Sequence, residues 1–194
     1  MLQDEYYVIE GDKSSCLLSW DEQSASFGMG KPVNVTEPIN VRIAEPIQDT
    51  PKMVDYHEMP EPVVSQRIAD ALIPLDIYGI QLVPAKVRNP KDPFSEPHDY
   101  WFIHIWNSIH CLDKDSSELE ISQSGNTIFG IDKLVLNDEV LRLFELRKRL
   151  VFELAEDASV LLVHESVKDA IMSTAPVGCR FFKATEWNSD ITFE

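Results

Sequence analysis

Ser166 follows His164 and Glu165, so a hydroxyl, an imidazole and a carboxylate occupy three consecutive positions. Nucleophilic catalysis uses those groups, with the base in reach of the hydroxyl and a third group orienting the base. Neighbours this close along a chain are not expected to reach that geometry. The other reading is a helix start, with Glu165 near the positive end of the helix dipole.

His104, His110 and Cys111 are the next candidates, as zinc ligands by type. Adjacent residues on extended chain point to opposite faces, so their spacing is poor for one ion. Packed or surface histidines are the alternative. His57 follows Asp55 and His98 precedes Asp99, without the HxxxH or HExxH spacing that sets two ligands on one helix face. Cys16, Cys111 and Cys179 are far apart, odd in number and form no CxxC pair. That pattern speaks against a disulfide framework or a zinc site and for small buried hydrophobes. Gly28-Met29-Gly30 is the one close glycine pair. It lacks a strand–helix context and reads as a loop turn rather than a phosphate cradle.

The segment Leu112 to Glu118 is dense in acid. Asp113, Asp115 and Ser117 alternate as calcium ligands do, but no glycine follows at the sharp turn that such a loop requires. A solvated turn and an acidic contact loop remain as readings; loops on a rigid scaffold often carry binding. Under the second, Asp113, Asp115 and Glu118 meet a partner, supported by Glu120 on the following strand.

Regular elements must position these groups. Tyr6 to Glu10 reads as a strand. Ser65 is placed to cap a helix to Ile73 with Ile68, Ala71 and Leu72 on one face, stopped by Pro74. Ile80 to Val87 alternates as a strand, and Pro84 suggests an edge or bulge. Tyr100 to Trp106, rich in aromatic and β-branched residues, reads as a central strand. Leu119 to Gln123 is a strand ending at the turn signal Ser124-Gly125-Asn126. Leu134 to Leu136 is a short strand or connector. Asp138 is placed to cap a helix to about Lys148. One continuous helix from Asp138 to Asp157 competes, but Val151 and Phe152 favour a break and a strand over Leu150 to Leu154. Val160 to Val163 is a strand, Glu165 to Met172 a helix, and Arg180 to Lys183 a last strand. The expected fold class is α+β: a mainly antiparallel sheet, a few short helices and an extended proline-rich N-terminal part.

Composition bounds the function. The chain has 194 residues, 17 Lys and Arg against 33 Asp and Glu, and a net charge of −16. This length suits one domain over residues 1–194 with a sizeable core. Eleven of its 12 prolines lie between Pro32 and Pro97. Residues 1–97 are therefore expected to form an extended layer, and residues 98–194 the regular α+β part. Charge does not divide the chain, since each half carries −8. The acidity argues against sequence-independent nucleic-acid binding and against docking on anionic lipid. It favours a partner with a basic surface. The first residues lack a basic start and a long apolar stretch, which speaks against a signal peptide and makes the cytoplasm the expected compartment.

A set of segments, taken in order, carries a resemblance: Tyr100-Trp101-Phe102-Ile103-His104-Ile105-Trp106-Asn107, Leu112-Asp113-Lys114-Asp115-Ser116, Ile131-Asp132-Lys133-Leu134-Val135-Leu136, Arg149-Leu150-Val151-Phe152-Glu153-Leu154-Ala155-Glu156, Val163 to Ile171, and Pro176 to Phe181. The series resembles the bacterial immunity-protein family found beside polymorphic toxins and in contact-dependent competition loci, typified by a myxobacterial member. It covers residues 63–184 well and the N-terminal part loosely. The resemblance implies an antidote that binds one cognate toxin and performs no chemistry, with no catalytic residues; the poor ligand spacing noted above separately predicts no metal, and no cofactor is expected. Phe152, Val163, Gly178 and Phe181 would then be scaffold. A homo-oligomer remains open. The competing function is a small cytosolic hydrolase or metal-dependent enzyme built on His104, His110 or His164. A housekeeping assembly module is a third.

Overall fold

The computed structural model describes residues 1–12, 16–21, 27, 30–123 and 127–193. Gly28, Met29 and the Ser124-Gly125-Asn126 turn signal lie outside the described residues. Thirteen strands are described: Tyr6–Gly11 (β1), Leu18–Trp20 (β2), Ile39–Ile43 (β3), Tyr56–His57 (β4), Val63–Val64 (β5), Ile80–Arg88 (β6), His98–Ile105 (β7), Ser108–Ile109 (β8), Glu118–Ile121 (β9), Ile128–Lys133 (β10), Val151–Leu154 (β11), Asp157–His164 (β12) and Cys179–Lys183 (β13). Gln66–Leu72 (α1), Asp138–Arg142 (α2) and Glu165–Met172 (α3) are the α-helices among these residues.

The strands form a five-stranded sheet ordered β13-β1-β12-β11-β8, a six-stranded sheet ordered β2-β3-β6-β7-β5-β4, and the β9–β10 hairpin. Most neighbours are antiparallel; β3 with β6 and β8 with β11 are parallel. The fold is thus α+β with mainly antiparallel sheets. The proline-rich half is extended, and more of it is paired than its composition suggests, because β2 to β6 all come from it.

Period-two alternation sorts side chains into three apolar layers. On β1, Tyr6 and Val8 face one core with Phe152, Leu154 and Leu162, while Ile9 faces a second with Val151 and Val163. That second core lies between the two sheets. Ile103 and Val64 of the six-stranded sheet close it, together with Ile68 of α1 and Val167 and Ile171 of α3. Phe102, Val83, Val63 and Val41 point away into a third core. β7 runs inside its sheet, between β6 and β5, as its two apolar faces require.

Several elements differ from expectation, each for a local reason. Asn137, not Asp138, caps α2: its Oδ1 accepts from the N–H groups of Glu139 and Val140 at 3.0 and 3.1 Å. Asp138 is engaged elsewhere, accepting from Leu2 and Gln3 N–H at 3.0 Å each. α2 ends at Arg142, and a 3-10 turn over Leu146–Arg149 leads into β11. The continuous helix does not form. α1 buries Ile68, Ala69 and Leu72, so Ala69 replaces Ala71 on the core face. Ser65 occupies the cap position, but its hydroxyl donates to Asp55 Oδ1 at 2.8 Å instead of accepting from the helix. The α-helix ends before Pro74, as expected, with Ile73 at its C-cap, and Pro74 itself sits in a 3-10 turn over Ile73–Leu75. β6 is interior, yet its pairing with β3 begins at Ala85. At Pro84 the strand is locally an edge on that side, where a residue without N–H is tolerated.

Candidate partner-binding face

The acidic loop is a folded turn. Asp113 Oδ1 accepts from Asp115 and Ser116 N–H, both at 3.2 Å, and Oδ2 accepts from Ser116 Oγ at 2.9 Å. An aspartate bonded this way substitutes for a turn of backbone. Ser117 Oγ accepts from Val135 N–H at 3.1 Å, and Leu112 bridges Leu136, so the loop is fastened at both ends. Asp113 is consequently half-buried and engaged, whereas Asp115, Glu118 and Glu120 are exposed. Sequence spacing did not show that one of the four acids, Asp113, is used to build the loop.

Apolar groups stand beside them. Ile121 is 55% and Phe129 72% exposed on the β9–β10 hairpin. Ile128 pairs with Ile121 and Gly130 with Glu120, which leaves Phe129 as the extra residue of a bulge. Glu120 reaches over Gly130, where an added Cβ would stand 3.3 Å from Oε2. Glycine here leaves that carboxylate its place.

Behind the hairpin lies a recess of about 490 Å³ bounded by His110, Lys114, Leu119, Ile128 and Glu156. His110 Nδ1 is 3.4 Å from Glu156 Oε1. Glu156 Oε2 is buried and has no hydrogen-bond partner among the described residues. On the far side of the β11–β12 turn is a cleft of about 320 Å³, opening at the end of the inter-sheet core. Glu58, Glu61 and Glu153 line it with Ile105, Met59 and Leu161. Burial pushes the Glu153 carboxyl up to about 7, with the charge of Glu61 adding to it. Burial also raises Glu61, partly offset by His104. It raises Glu58 too, with Glu10 adding, while the Gly11 N–H and Arg180 pull the other way.

Sequence reading missed this cleft. One signal was present: Glu153 alternates with Val151, so it occupies a core-facing position of β11, opposite Leu161 on β12. The partners Glu58 and Glu61 are far away in sequence and arrive only when the two sheets pack.

The remaining candidates resolve differently. Ser166 and His164 do meet, contrary to expectation: Ser166 Oγ lies 2.9 Å from His164 Nδ1, and His164 Nε2 lies 3.1 Å from Glu5 Oε2. They meet because His164 is the extended cap residue of α3 (φ −71°, ψ 153°) and folds over the helix start. Its Nδ1 also accepts the Ser166 N–H at 3.2 Å. A ring accepting at Nδ1 carries its proton on Nε2, toward Glu5. The arrangement caps a helix and ties it to the N-terminal segment. His57 is buried with Nδ1 3.0 Å from Cys16 O, and burial lowers its pKa. His104 is buried with Nε2 2.9 Å from Lys31 O. Cys111 is buried, which pushes its thiol up to about 12, so it is un-ionised near neutrality. Among the described residues no three His, Cys, Asp or Glu side chains are placed to hold a metal ion. No described helix is long and apolar enough to cross a membrane.

In this α+β scaffold His57, His104 and His164 are taken up in structure, while His98 and His110 stand exposed. The sequence profile of the Immunity protein family (Imm11) matches residues 2–186, and the chain belongs to that family. No curated protein matches the chain.

Proposed function

We propose that this chain neutralises a cognate bacterial toxin in the cytoplasm of the producing cell by binding it directly, without catalysis. Membership of the immunity family across residues 2–186 carries the reading. The acidic rim supports it physically. A net charge of −16 steers a basic partner and speeds encounter. Asp115, Glu118 and Glu120 supply the charge at the contact. Phe129 and Ile121 supply the apolar anchors that the centre of an interface needs. Asp113 holds the loop in shape.

The test is co-expression with the toxin encoded beside this gene. Growth should be restored by the parent chain, and purified toxin should be inhibited at a one-to-one ratio. Continued killing at full expression of a folded chain would sink the reading.

A further inference from the structure

We propose that the toxin adds an extended segment as a new strand along the free edge of β9, with apolar side chains turned into the recess behind the hairpin and Lys or Arg at the alternate positions, beside Glu118 and Glu120. The inference rests on the toxin-binding reading above and names the form and chemistry of the segment recognised.

The phase of the β9–β10 ladder fixes which backbone groups face outward. Ser122 N–H donates to Thr127 O at 2.8 Å, so the next pair, Ile121 with Ile128, is a non-hydrogen-bonded one. Both irregularities of the hairpin put the extra residue on β10, so β9 keeps strict alternation. Glu120 turns its N–H and C=O toward β10, and Leu119 and Ile121 turn theirs away. β10 shows the same phase. Ile131, opposite Leu119, points its N–H away from β9 and donates it to Ser189 Oγ at 2.8 Å. Ser189 opens the C-terminal 3-10 turn, which thus closes the β10 edge. On the β9 edge, the N–H groups of Leu119 and Ile121 have no acceptor among the described residues. Each of these residues offers a donor and an acceptor to an added strand.

Side chains set what can be added. Ser117, Leu119 and Ile121 share one face and, with Ile128 and Ala155, line the recess of about 490 Å³. An added strand sends every second side chain to that side. Half-buried Leu119 and Ile121, 55% exposed, give an apolar one its contacts. Lys114 and Glu156 also line the recess, so it selects neither sign of charge. Glu118 and Glu120 are exposed on the other face. A neighbouring strand places its side chains beside them there, where opposite charge is favourable and like charge is not. This decides the occupant. A second copy pairing through the same edge sets Glu118 and Glu120 against their own copies, whereas a basic segment is matched. β13, an edge of the five-stranded sheet, carries Arg180 and Lys183 and repels such a segment.

The test follows amide hydrogen exchange by NMR in the isotope-labelled full chain, free and bound to the purified toxin encoded beside this gene. Exchange at Leu119 and Ile121 should be fast in the free chain and at least about tenfold slower in the complex. On the toxin, the newly protected amides should fall in one segment with Lys or Arg at alternate positions. Ile121→Pro should bind at least about tenfold more weakly than Ile121→Ala, since both lose the side chain and only proline loses the N–H. That N–H makes no ladder bond, so the edge tolerates proline, which melting verifies. If the proline variant does not fold, the exchange data on the parent decide. Unchanged exchange at both amides in a formed complex, or equal affinity of the two folded variants, would overturn strand addition. So would protection of a helical or acidic toxin segment, or protection in the free chain that grows with its own concentration. Such results leave toxin neutralisation standing, because the complex itself is observed. Failure of the parent to bind the toxin overturns that reading and strand addition with it.

Discussion

Glu61 acts across the cleft on Glu153, and its charge adds to burial in raising the Glu153 carboxyl to about 7. Glu153 lies on β11 and Glu61 in the connection between β4 and β5, so the repulsion between them is a property of the folded state. A carboxyl raised on folding contributes stability that is fully present below its unfolded value and is lost as pH rises through the folded value. Glu153→Gln should therefore match the parent at about pH 4 and exceed it by about 2 kcal/mol at about pH 8. Denaturant melts at the two pH values measure this. A variant that is no more stable than the parent at the higher pH would contradict it.

Asp55 has the opposite behaviour. Burial pushes its carboxyl up, but bonds from Arg67, the Val177 N–H and Ser65 outweigh that and hold it below its ordinary value. Val177 N–H and Ser65 Oγ each donate at 2.8 Å, and Arg67 Nε at 2.7 Å. Asp55 thus ties α1 to the segment leading into β13. Asp55→Ala should cost about 2–3 kcal/mol near neutrality. Because the folded value is lowered, the parent's advantage should shrink as pH falls through the carboxylate range. A cost that does not change with pH would show that the charge is not what matters.

The Ser166–His164–Glu5 chain is expected to be structural. Ser166→Ala keeps the capping N–H and loses only the Ser166 Oγ–His164 bond, so it should leave toxin inhibition unchanged and cost about 1 kcal/mol of stability, the usual size for one side-chain hydrogen bond. The parent should hydrolyse p-nitrophenyl acetate no faster than Ser166→Ala does. A rate that depends on Ser166 would revive the hydrolase reading.

Phe102 is 1% exposed in the third core, packed with Trp20 and Phe27. Phe102→Ala should cost about 3–5 kcal/mol. An unchanged melting midpoint with toxin binding lost would make this strand an interface instead of a core.

Elements set by local pattern were legible in the chain. Glu165–Met172 forms the expected helix, and Val151–Leu154 is a strand because β-branched and aromatic residues outweigh the helical spacing of Leu146, Leu150 and Leu154. What failed to show depended on distant partners. Asp138 has the chemistry of a cap, but Leu2 and Gln3 claim it from the far end of the chain. Asp113 reads as a surface charge because its bonds within the turn are invisible until the loop closes. The rim was half legible: its acids stand close together in the sequence, whereas the exposure of Phe129 follows from a bulge that no local pattern announces. The carboxyl cleft needed the packing of two sheets, so only the misplaced charge at Glu153 hinted at it.

The most direct test of the account is the association kinetics of the cognate toxin with the parent and with an Asp115→Lys, Glu118→Lys, Glu120→Lys variant, which spares Asp113 and so keeps the loop folded. Rates are taken at low and at moderate salt. The account predicts that the parent's on-rate falls as salt rises, and that the variant associates at least about tenfold more slowly at low salt with little salt dependence. Indistinguishable on-rates and affinities for the two proteins at both salt concentrations would contradict it.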